Sequence, residues 1–109
     1  MSQFDVHRNQ GRNASAIPYV VVVQSAAFDR HLRRLVVPLL VADGIGAKVK
    51  VPYSDATPVV VVNGQDFILN PFDMVSMPTD KLGPKVGSLA ESESAIITAL
   101  DEVFSRAYG

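Results

Sequence analysis

The sequence predicts a mainly β, α+β domain closed by one C-terminal helix, and three observations predict it. β-Branched and apolar runs at Tyr19–Val23, Leu35–Leu40 and Val59–Val62 are too short for helices and suit a pleated sheet. An Asn63-Gly64 pair lies between two apolar runs, which is a hairpin signal. Only beyond Ser88 does the apolar spacing change from strand-like to helix-like. The 109 residues make a single domain, 1–109, long enough to bury a core without staples.

Taken in order, Gln3 to Arg8 alternates, with Phe4 and Val6 facing the core and Gln3, Asp5 and His7 facing away. The polar run Arg8 to Asn13 reads as a loop. Tyr19–Val23 and Val59–Val62 are solid β-branched runs, expected to be covered on both faces. In Leu35–Leu40, Pro38 predicts an edge or a bulge, because proline has no N–H for a ladder. Lys48–Val51 is a further short strand, and Asp43-Gly44-Ile45-Gly46 before it is a turn. Val59–Val62 turns through Asn63-Gly64-Gln65-Asp66 into Phe67-Ile68-Leu69. Pro78 and Pro84 break the stretch after Pro71 into short strands, and Gly83 to Ser88 is expected to be a loop.

Ser88 to Glu91 fits a capping box, with Ser92 as an alternative cap. Beyond it Ile96, Leu100, Val103, Phe104 and Ala107 share a helix face, while Glu93, Asp101 and Glu102 lie off it. Acidic residues gather early and Arg106 comes late, which suits the helix dipole.

Chemistry is sparse. With no cysteine there is neither a disulfide framework nor thiolate chemistry, which fits a reducing cytoplasm. His7 and His31 have no carboxylates at ligand spacing, so no metal and no cofactor are expected. Pro84 removes a backbone donor from the Gly83–Ser88 stretch where a phosphate cradle needs one. Glu91 and Glu93 face different sides of the helix and make no acid–base pair. No residue set reads as catalytic. The longest apolar run, Leu35 to Ala42, is far short of the roughly 20 residues that cross a bilayer, and the N-terminus carries no secretory signal. A net charge of -1 provides no general attraction to DNA. One basic cluster, Arg30, His31, Arg33 and Arg34, is either a solvated loop or a contact for nucleic-acid phosphates or for the acidic segment of a protein partner.

Certain segments, in their order, carry a family resemblance: Gln3-Phe4-x-Val6, YVVVVQS at Tyr19–Ser25, RRLVVPL at Arg33–Leu39, FDMVSMP at Phe72–Pro78 and LGPKVGSL at Leu82–Leu89, with a helix to finish. Together they resemble the CcdB toxins of bacterial toxin–antitoxin modules over nearly the whole chain. The resemblance implies an SH3-like barrel of antiparallel strands with a small extra sheet and a C-terminal helix. It implies a cytoplasmic homodimer that is no enzyme. Such a dimer poisons DNA gyrase, through its A subunit, by trapping the cleaved complex, and a CcdA-like antitoxin with a disordered tail neutralises it. No direct DNA binding and no membrane partner are implied.

In the family the gyrase-binding surface is the end of the C-terminal helix, closed by Phe-Trp and then Gly-Ile. Phe104 fits the family's phenylalanine, but Ser105 stands where tryptophan is expected and Arg106-Ala107 replaces Gly-Ile. Loss of a buried tryptophan anchor typically costs about 2–4 kcal/mol of binding. Tyr108, four residues beyond Phe104 and on the same face, is either a replacement anchor followed by Gly109 or a frayed end. Asp101 matches a helix position near the interface where the family has a neutral asparagine. Ala27 and Phe28 map near the gyrase site, Phe28 as an exposed contact or a cap on the core. Two other readings stand beside gyrase poisoning: an endoribonuclease of the related MazF and Kid type, or a degenerate toxin that only dimerises and binds antitoxin.

Overall fold

The computed structural model describes residues 2–11, 14–25, 27, 30–41 and 55–104. Among the described residues there are seven strands and one α-helix: β1 (Asp5–Asn9), β2 (Tyr19–Val22), β3 (Arg33–Val41), β4 (Val59–Val62), β5 (Gln65–Leu69), β6 (Val75–Pro78), β7 (Leu82–Ser88) and α1 (Glu93–Phe104). The expected strand at Lys48–Val51 and the turn before it lie outside the described residues. All pairings are antiparallel, in the order β4-β5-β3-β2-β1-β7, and the sheet curls into a half-barrel capped by α1. Strand β6 branches from this path, pairing with the first half of β3 while β5 pairs with its last three residues.

That branching explains Pro38. It lies in a central strand, opposite Val20 of β2, yet breaks no ladder. The Pro38 carbonyl accepts from Asn70 N–H at 3.1 Å, on the β5–β6 side. In an antiparallel strand the N and O of one residue point the same way. The missing N–H therefore faces the gap between β5 and β6, a local edge inside the sheet.

The main core lies on the concave face, where Phe4, Val6, Val21, Val37, Leu39, Val60, Val62, Phe67 and Leu69 meet Leu89, Ile96 and Ala99. Tyr19 packs edge-on against Phe67, ring centroids 5.3 Å apart. A smaller cluster of Val20, Val22 and Val36 with Met77 and Leu82 covers part of the outer face. This two-sided cover accounts for the solid β-branched run of β2. The same expectation fails for β4, which ends the sheet and leaves Val59 and Val61 exposed on its outer face.

The hairpin forms as predicted, with Asn63 at φ 52° and Gly64 at φ 78°, although β5 starts two residues early, at Gln65. Phe4 also adopts positive φ, 69°, at a cost of about 1–2 kcal/mol. Its N–H donates to Val22 O and its carbonyl accepts from Leu89 N–H, while the ring enters the core. These three ties hold the unfavourable backbone.

Two polar residues expected to face solvent on β1, Asp5 and His7, are buried. The reason is β7, which is a strand rather than the expected loop and pairs with β1 across two register shifts. At Gly83 a Cβ would lie 2.5 Å from the Arg8 carbonyl, so only glycine permits the approach. Here the Gly83 carbonyl accepts from His7 Nδ1 at 2.9 Å. Asp5 accepts from Ser2 N–H at 2.8 Å and pairs with Lys85 Nζ at 3.3 Å. Ser88 Oγ accepts from Ala90 N–H at a short 3-10 turn, and α1 begins directly after Ser92, the alternative cap.

Candidate functional site

Helix α1 buries Ile96 and Ala99 against the sheet, with Leu100 and Val103 partly covered. Phe104, expected on the buried face, is 59% exposed. The buried stripe follows Ile96, Ala99, Leu100 and Val103, and Phe104 lies one step past its edge. With Ile97, which is 42% exposed, and Asp101 it occupies positions i, i+4 and i+7, a single outward stripe. The stripe joins two expected contact residues, Asp101 and Phe104, and adds Ile97, which the sequence reading missed. Its signal was available in the i, i+4, i+7 spacing of residues 97, 101 and 104. Ser105, Tyr108 and Gly109 lie outside the described residues, as does Phe28.

The basic cluster divides. Arg34 is 1% exposed, which removes it as a surface contact. Its guanidinium donates to Gln24 Oε1 and to the carbonyls of Gln24 and Ser25, at 3.0–3.3 Å. Gln24 Oε1 in turn accepts from Leu35 N–H, so Arg34 clamps the start of the β2–β3 connection. Strand alternation places Arg34 on the same side of β3 as Val36, the side of the smaller cluster, where its bonds to Gln24 and Ser25 hold it buried. Arg30, His31 and Arg33 are exposed. The Arg33 guanidinium is held against β6 by Ser76, its Nε donating to Oγ at 3.0 Å and Nη2 to the carbonyl at 2.7 Å.

Three clefts run beside β6. One, of about 500 Å³, is lined by Asn9, Gln10, Gly11 and Lys81 with Ser76, Met77 and Pro78. A second shares Pro78 and reaches Leu32 and Arg33. A third shares Met77 and extends over Val20 and Pro38. Lysine, arginine and one aspartate, Asp80, are their only ionisable groups among the described residues. No group of three potential metal ligands occurs among the described residues, and no described helix is long and apolar enough to cross a membrane.

Comparison with solved structures agrees with this architecture. A mycobacterial endoribonuclease in complex with its cognate antitoxin superposes with a TM-score of 0.74 at 17% identity, over 96% of this chain and 95% of that one. The Mycobacterium tuberculosis toxin MazF-mt6 follows at 0.71 and 17% identity, over 93% and 96%. Another mycobacterial endoribonuclease gives 0.69 at 17% identity, over 96% and 91%. At such identity the likeness is one of fold. No curated protein matches the chain. The family model described as CcdB protein matches residues 3–105. The chain therefore belongs to the CcdB family of toxins from toxin–antitoxin modules.

Proposed function

We propose that this toxin is a cytoplasmic homodimer that binds DNA gyrase through its A subunit and traps the cleaved complex, with a CcdA-like antitoxin to neutralise it. One observation carries the proposal: the outward stripe Ile97–Asp101–Phe104 near the end of α1. A phenylalanine largely in solvent on a well-formed helix contributes little to folding. It is the kind of side chain that anchors an interface. Binding of this type requires no acid or base.

The test is gyrase with supercoiled plasmid and ATP, treated with detergent and protease after incubation with the protein. Linear DNA is the expected product. Absence of linear DNA at high protein excess sinks the gyrase reading.

The ribonuclease reading has its own support in the fold shared with endoribonuclease toxins. RNA cleavage needs a general base and a general acid beside a basic groove. The described clefts bring cations, but only Asp80 as a carboxylate, at the exposed end of one of them. A ribonuclease would lose activity on His31→Ala and keep it when Tyr108 and Gly109 are deleted. A gyrase poison would respond in the opposite way. A degenerate toxin would be harmless from the outset while still binding the antitoxin.

A further inference from the structure

Asp101 lies in the middle of the outward stripe of α1, one turn from Ile97 and one turn from Phe104, and all three are exposed. Its place is a poor one for the helix itself. Free carbonyls concentrate negative partial charge at a helix C-terminus, and Asp101 stands in the last described turn of α1, which holds no basic residue. Nothing nearby offsets the charge. No described residue makes a hydrogen bond or ion pair with its carboxylate. Its neighbours at i−4, i−3 and i+3, Ile97, Thr98 and Phe104, are uncharged. From Ser88 to Phe104 the chain holds Glu91, Glu93, Asp101 and Glu102 but no lysine, arginine or histidine. The exposed cations Arg30, Arg33, Lys81 and Lys85 lie elsewhere on the fold.

We propose that Asp101 is the specificity-determining charge of the target-binding surface, and that the target presents a lysine or arginine to it between apolar hollows for Ile97 and Phe104. A partner that closes over the stripe strips water from the carboxylate together with the two apolar side chains. A carboxylate desolvated without a cation is a net cost to binding. A fitted cation offsets that cost, and surfaces that lack one are rejected. Nucleic acid is disfavoured on this face, because its phosphates would meet carboxylates and no cation. The occupant is therefore a protein with a patch both basic and apolar. That this protein is gyrase rests on the reading above; the demand for a cation rests on the stripe alone.

The experiment titrates the full chain against the A subunit of its host's gyrase by calorimetry, at low and at high salt, and scores growth arrest on induced expression in parallel. Affinity of the parent should fall as salt rises. Asp101→Asn should weaken binding at least about tenfold and flatten the salt dependence, because the target's cation loses its partner. Asp101→Glu keeps the charge and should stay within about threefold of the parent. A damaged fold is not the cause if the melting temperature of Asp101→Asn equals or exceeds that of the parent, as removal of an acid from a helix C-terminus predicts. Gyrase binding that Asp101→Asn leaves unmoved overturns the proposal while the gyrase reading stands. Equal losses in Asp101→Asn and Asp101→Glu make the effect one of shape and overturn it too. If the parent does not bind gyrase, yet growth arrest is lost in Asp101→Asn and kept in Asp101→Glu, the gyrase reading fails and the proposal holds for another target. Without gyrase binding, growth arrest that is absent or indifferent to Asp101 overturns both.

Discussion

Buried Arg34 and half-buried Gln24 hold each other: the guanidinium Nε donates to Gln24 Oε1 at 3.3 Å, and that oxygen also accepts from Leu35 N–H at 3.1 Å. A buried cation in this position joins β3 to the end of β2 and fixes where the connecting segment leaves the sheet. Arg34→Ala should therefore lower the unfolding free energy by about 3 kcal/mol, because it strands backbone carbonyls as well as an amide. Arg34→Lys should recover only part of this, since one ammonium cannot reproduce a planar fork. Urea denaturation of the three proteins measures both effects, and equal stability of Arg34→Ala and the parent would refute the assignment.

Gly83 permits β7 to approach β1 within contact distance. Gly83→Ala places a methyl group 2.5 Å from the Arg8 carbonyl oxygen, and this neighbour is backbone that cannot swing aside. The expected loss is about 1–3 kcal/mol. Gly87→Ala, where a Cβ meets nothing within 4 Å, is the matched control and should be far milder. Thermal melts of the pair decide the matter.

His7 Nδ1 faces a carbonyl, which only accepts, so Nδ1 carries the ring proton. Nε2 is buried and has no partner. His7→Asn places an amide donor near the Nδ1 position and removes the stranded nitrogen. It should be less destabilising than His7→Leu, which abandons the Gly83 carbonyl, by about 1 kcal/mol. Denaturant midpoints in the opposite order would show that the hydrogen bond contributes nothing.

The outward stripe of α1 separates stability from function. Phe104→Ala and Ile97→Ser should each change stability by no more than about 0.5–1 kcal/mol, since both side chains are substantially in water already. Growth arrest on induced expression should nonetheless be lost, with target affinity reduced by at least about tenfold. Retained growth arrest in both variants would move the target surface elsewhere.

Short-range chemistry was legible in the residues alone. Asn63-Gly64 dictates its own turn because positive φ at two successive positions selects those residue types. The helix over 93–104 follows from its apolar period, and the β-branched runs from their side chains. The family was legible too, from the order of several short segments. Of the candidate site, Asp101 and Phe104 could be named from the sequence, but not the face they share with Ile97.

What only the tertiary structure decided depends on which strand lies beside which. Pro38 is harmless because β5 and β6 leave a gap there, a fact about residues far along the chain. His7 and Asp5 are interior because β7 folds back on β1, and Gly83 matters only at that crossing. Arg34 reads as one of four basic residues of a surface cluster in the sequence, yet its bonds to Gln24 and Ser25 bury it on the Val36 side of β3 while Arg33 stays exposed. Sequence sets the hydrogen-bonding and steric choices open to each residue over a few neighbours. Burial is a property of the partners that long-range pairing brings in, and no local pattern contains them.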